Sequence, residues 1–137
     1  MLKLNNRRVY LIGGFLAIFL IYSLYNIFLL DVNYYNEIPR KIRHLNKFLA
    51  ILLVYGIGTL ALKKYTVDWM MLVWHLLHIA VILFLLVIGL YDWTFGVISD
   101  KLRNIASTFL EFLISPVFYA AIAIVNNRLF LLVEKHK

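Results

Sequence analysis

Few side chains in this sequence could do chemistry, and those that could lie within long apolar stretches. Glu111 is the foremost. A carboxylate at the centre of a membrane-spanning helix costs about 2.5–3.5 kcal/mol on insertion scales, so such groups face a bundle interior or a wet cavity. Asn104, Ser107, Glu111 and Ser115 recur at spacings of three, four and four, which is one helix face, with Thr108 beside them. That polar stripe supports three readings. It could line a path for protons, ions or substrate. Its carboxyl could instead bond to the serines and a neighbouring helix, or clamp a partner subunit.

His75 and His78 form the second candidate. Their spacing of three puts them on adjacent parts of one face, with Asp68 and Met71 preceding on the same side. Two imidazoles so placed could hold a metal ion or relay protons. Metal sites take three or four ligands, however, and the chain has no cysteine to supply a thiolate. Axial haem ligation from both sides needs imidazoles on opposite faces of the ring, which one helix face cannot provide. His44 and His136 lie outside the apolar stretches, so a second ligand would have to come from a dimer or a partner. The histidines are read as neutral groups hydrogen-bonded within the bundle, and no metal or cofactor is assigned. Depth separates them from Glu111. At 1.5 Å per residue, His78 lies about 13 Å from one face and Glu111 about 9 Å from the other, which leaves roughly 8 Å between their levels in a core about 30 Å thick.

No Gly-rich phosphate loop, His-Glu-x-x-His helix or nucleophile elbow is present. Ser99-Asp100 reads as a helix cap, not part of a dyad. No nucleophile can be paired with a base, so no catalytic residue is assigned and no enzyme is expected.

The elements that must position these residues are four apolar stretches. Val9–Leu30 and Trp69–Tyr91 run 22 and 23 residues without Lys, Arg, Asp or Glu. An α-helix needs about 20 apolar residues to cross the hydrocarbon core. Phe48–Leu62 and Ile105–Val125 complete the set. The expectation is an all-α integral membrane bundle, one domain over residues 1–137, with transmembrane helices at about 9–30, 45–62, 69–91 and 105–125. Composition agrees. The chain is 64% hydrophobic and 15% charged, against about 25% charged in soluble domains. Four such helices occur in many unrelated membrane proteins, so the architecture names no family.

Net charge is +7. The Lys and Arg side chains cluster at the ends of the stretches, where they meet lipid phosphates. No run of five like charges exists, so nucleic acid is not expected as a partner. The first stretch follows a basic segment with Lys3, Arg7 and Arg8, as in a secretory signal. It is too long for a signal core and ends in Phe28-Leu29-Leu30-Asp31, without a small-x-small cleavage site. It is read as a retained helix.

The connectors carry further expectations. Asp31–Asn36 reads as irregular or interfacial. Pro39 suits the first turn of a helix. From there Ile38, Ile42 and Leu45 mark one face, while Arg40, Lys41, Arg43, His44 and Lys47 mark the other. This predicts an amphipathic ramp along the interface leading into the second span. Lys63–Asp68 reads as a tight turn between antiparallel neighbours. Asp92–Gly96 reads as an aromatic turn outside the third helix, and Leu129–Lys137 as a short tail beyond the fourth. Gly13 with Ala17, Gly56 and Gly58 are expected to admit close helix contact.

Lys/Arg asymmetry is slight. An N-terminus in the cytoplasm puts eight such residues inside and six outside, which favours both termini inside. The functional expectation is a non-enzymatic accessory or scaffold subunit of a membrane complex, acting through helix packing on other subunits or on itself. Arg40, Lys41, Arg43, Lys47 and Trp93 would form its interfacial docking region. The alternatives are a small oligomeric channel or transporter along Ser107, Glu111 and Ser115, and a haem- or quinone-associated anchor subunit using His75 or His78.

Overall fold

The computed structural model describes residues 2–30, 37–63, 68–96 and 98–135, and their side chains except at 2–7, 30 and 127–135. Among these residues there are helices and no strands. Helix α1 spans Leu2–Tyr25 and continues as one π-helical turn, Asn26–Leu30. Then come α2, Arg40–Leu62, and α3, Asp68–Thr94. Helices α4, Asp100–Ile114, and α5, Pro116–Lys135, complete the chain. The sequence expectations for Asp31–Asn36 and for Lys64–Val67 fall outside the described residues.

Three segments are long and apolar enough to cross a membrane: Arg8–Leu29, Arg40–Leu62 and Asp68–Thr94. At 1.5 Å per residue the shortest covers about 33 Å, the thickness of a hydrocarbon core. Helices α4 and α5 pass the same test only as a pair, and a bend of 51° separates them. By length and composition the helices are compatible with a multi-pass membrane protein of three spans, or four if the bent pair is one span.

That bend corrects the single helix expected over residues 105–125. Pro116 lacks an N–H, and its ring pushes the preceding residue out of the helical region. Ser115 accordingly adopts φ −64 and ψ 133. Its hydroxyl then accepts from Val117 N at 3.2 Å, and its carbonyl accepts from Phe118 N at 3.2 Å. Ser115 is thus the N-cap of a new helix with Pro116 at its first position, the arrangement both residues favour. Helix α5 also continues to Lys135, past the break expected at Asn126-Asn127-Arg128.

Helix α2 starts at Arg40, with Pro39 as its N-terminal flank at φ −55 and ψ 141. It is one continuous helix, which replaces the separate interfacial ramp and the start near residue 45. Helix α3 likewise runs through Thr94, three residues past the expected end at Tyr91. Gly96 then turns the chain at φ +103, a conformation open to glycine. Ser99 caps α4, its hydroxyl accepting from Leu102 N at 3.4 Å.

Helix α2 is the centre of the bundle, packed on α1, α3 and α4, while α5 closes against α1. The side-chain pairs Thr59–Trp74, Tyr55–His75 and His44–Asp92 run in opposite order along α2 and α3. The two helices are therefore antiparallel, as the short connector requires. Ile18, Ile51, Val54, Leu62, Trp74, Leu110 and Ile114 form the solvent-free centre of the core.

Two glycines are spent on close packing. A Cβ at Gly58 would collide with the Trp74 indole, and one at Gly14 would lie 2.6 Å from Ala61 Cβ and 2.7 Å from the Tyr119 hydroxyl. The expectation for Gly58 therefore matches its place in the fold. Gly13 and Gly56 do not act this way within the chain. Both are exposed, and a Cβ at either meets nothing within 4 Å. In α1 the internal contact belongs to the neighbouring residue, Gly14.

Candidate functional site

The polar residues of the helices assemble into two clusters. The first lies where α2 begins and α3 ends. The inner face of α2 runs through His44, Lys47, Ile51, Val54 and Gly58, at spacings of three, four, three and four. In α3, Met70, Trp74, His78, Ile88 and Asp92 are buried. Asp92 thus continues the core stripe of its helix, with 1% of its side chain exposed.

A buried carboxylate persists only when paired and hydrogen-bonded. His44 supplies the partner: its Nε2–H donates to Asp92 Oδ2 at 2.9 Å, the carboxylate being the acceptor. The Arg40 guanidinium lies 4.0 Å from Oδ1, which makes no hydrogen bond. Alongside, Lys47 Nζ donates to Ser107 Oγ at 2.9 Å and lies in the electrostatic field of Glu111. One end of the bundle therefore carries an alternating set of charges shared by α2, α3 and α4.

This arrangement corrects the expected placing of the α2 charges. The sequence put His44 and Lys47 on the outward face with Arg40, Lys41 and Arg43. His44 and Lys47 instead turn inward and are half-buried, while Ile42 and Leu45 are exposed at 47% and 59%. In a bilayer, lipid can cover an apolar face, so polar groups gain more by turning to one another. Lys41 is exposed, its Nζ 6.0 Å from the centroid of Trp93, which is exposed too. Arg43 is half-buried and Arg40 is exposed.

The second cluster is aromatic and lies nearer the middle of the helices. Trp74 has no exposed surface, and its Nε1–H donates to Thr59 Oγ1 at 3.2 Å. His75 Nδ1 and the Tyr55 hydroxyl share a hydrogen bond of 2.8 Å between α2 and α3. His78 is fully buried, and its Nδ1–H donates to the Trp74 carbonyl at 2.9 Å within its own helix. That bond fixes the tautomer of the neutral ring and leaves Nε2 an acceptor without a hydrogen bond. Rings enclose it, with Trp74 at 4.0 Å, Tyr55 at 5.5 Å and Phe118 at 6.1 Å between centroids. The Tyr119 hydroxyl donates to the Leu11 carbonyl at 3.2 Å, tying α5 to α1.

The candidate residues thus separate. Glu111 and Ser107 belong with Lys47, His75 with Tyr55, and His78 with the aromatic rings. Ser115 is occupied in capping α5. Among the described residues, no group of three His, Cys, Asp or Glu side chains is placed to hold a metal ion. Asp92, His44 and Tyr55 were missed by sequence reasoning. The sequence alone places Asp92 in a turn and His44 on an outward face. Their positions on the core stripes of α3 and α2 were the signal that could have found them.

No protein-family model matches the chain, and neither a curated protein nor a solved structure matches it.

Proposed function

We propose that this chain is a non-enzymatic multi-pass membrane protein, acting as an accessory or scaffold subunit that packs on other membrane subunits or on copies of itself. The observation that carries this reading is the contrast between its glycines. Gly14 and Gly58 are filled by Tyr119, Ala61 and Trp74 from the same chain, whereas Gly13 and Gly56 leave open notches on the outer surface of α1 and α2. Notches of that kind let a second helix backbone approach closely, and packing of this sort drives association where lipid removes the hydrophobic incentive. The polar clusters support the same reading, because Asp92, Lys47, Ser107 and His75 are engaged with partners inside the fold. This reading puts both termini on the cytoplasmic side, from the slight Lys/Arg asymmetry, and reporter fusions after Lys64 and Lys137 would check it.

Native mass spectrometry after gentle extraction tests the function directly. A defined complex, with another subunit or with a second copy, is the expected result. A monomer that conducts ions in liposomes would favour the channel. A Soret band in the purified protein, lost on replacing His75 and His78, would favour the electron-transfer anchor.

A further inference from the structure

Between α2 and α3, beside the charged end of the bundle, runs an open groove of about 160 Å³. Its walls include Leu45, Phe48, Leu86 and Leu90, and Trp93 closes one end. Gly89 opens its floor, for a Cβ there meets nothing within 4 Å. The groove changes character along its length. Most of its lining is apolar, but His44 stands at its head and Lys47 one turn further in. Arg40 and Lys41 are exposed on the turns of α2 just before them.

Most acids near this head are engaged, and Glu37, exposed just before α2, makes no ion pair with Lys41 among the described residues. Asp92 is paired with His44 and faces Arg40, and Asp100 bonds Arg103 at 3.4 Å. Among the described residues, Lys41 has no carboxylate within ion-pair distance, and its ammonium sits by Trp93 at the mouth of the groove. An apolar trough leading to an unneutralised cation fits an amphiphile with one charged end. The trough takes hydrocarbon chain, and the cations take a phosphate that carries net negative charge. Tryptophan at the junction is the side chain that suits the boundary between acyl chain and headgroup.

We propose that this groove binds an anionic phospholipid, with an acyl segment along Leu45, Leu86 and Gly89 and the phosphate at Lys41 and Arg40. The inference rests on reading the chain as membrane-spanning, and adds to it a preference among lipids.

Brominated acyl chains quench tryptophan on contact, and Trp93 lines the site. The test uses the full chain with Trp69→Phe, which leaves Trp93 and the fully buried Trp74 as emitters. The protein is reconstituted in phosphatidylcholine vesicles doped with a minor fraction of brominated phosphatidylglycerol or of brominated phosphatidylcholine. Several-fold stronger quenching by the phosphatidylglycerol is expected at equal doping. Gly89→Phe puts a ring into the groove from a Cβ that meets nothing within 4 Å, and Lys41→Gln removes the exposed charge. Each should abolish the preference while the circular dichroism stays unchanged. Equal quenching by the two lipids overturns the proposal, as does a preference that survives both substitutions. Quenching that emerges only on dilution into excess lipid assigns the groove to a second copy of the chain and overturns it too. No quenching by either lipid at any dilution instead removes the membrane reading on which the proposal rests.

Discussion

Asp92, near the end of α3, is held by His44 of α2 at 2.9 Å, with 1% of the carboxylate side chain exposed. Helix geometry makes this pair. His44 sits one turn before Lys47 on the inner stripe of α2, and Asp92 one turn beyond Ile88 on that of α3. The pair joins the two antiparallel helices at one end, as Thr59 and Trp74 join them further along.

Removing one partner of a buried hydrogen bond leaves the other unsatisfied, at about 1–3 kcal/mol and more where that group is charged. Asp92→Leu and His44→Leu should each destabilise the bundle, by less for His44 because it is half-buried. The double variant should recover much of the loss. Thermal unfolding in detergent checks this as a double-mutant cycle, and additive losses would show that the two residues do not act as a pair.

Lys47 makes a charge-assisted hydrogen bond to Ser107, one turn before Glu111 on α4. Hydrogen bonds to charged groups contribute about 1.5–3 kcal/mol. Lys47→Met should cost stability in that range, and Glu111→Gln less, because the amide keeps the shape. Neither should alter ion flux in liposomes, since the Lys47–Ser107 bond fastens α2 to α4. Flux in the unmodified protein that vanishes in a well-folded Glu111→Gln variant would assign the stripe to a transport path.

Helical character and the first and third spans were legible in the sequence as uninterrupted apolar runs, while the second was legible only from Phe48 to Leu62, its charged first turns being read as a ramp. The break at Ser115 was less so. Pro116 sits in an apolar run that hydropathy reads as continuous, although Ser-Pro is also an N-cap followed by a first-turn proline. The inward turn of His44 and Lys47 was hidden because charges at the start of α2 read as the outer face of an amphipathic ramp along the interface. The difference between Gly13 and Gly14 depends on which neighbour crosses α1, and no local pattern encodes that crossing.

The cap itself is testable. Ser115→Ala removes the hydroxyl that accepts from Val117 N and should cost about 0.5–2 kcal/mol. Pro116→Ala restores a backbone donor and should let α4 and α5 straighten toward one helix. Distances between spin labels placed on the two helices would report a reduced bend. An unchanged distance would mean that packing, not Pro116, imposes the 51° angle.

The role of the outer surface turns on four glycines and one comparison. Gly13→Leu with Gly56→Leu should leave the bundle folded, because nothing lies within 4 Å of either added Cβ. Gly14→Leu or Gly58→Leu should disrupt the bundle itself by colliding with Tyr119 or Trp74. Native mass spectrometry of the unmodified chain and the Gly13→Leu/Gly56→Leu variant, both extracted gently, is the most direct measurement. A complex in the first that falls to folded monomer in the second is the predicted result. A monomer in both, or a complex unaffected by filling the two notches, would contradict assembly through these surfaces.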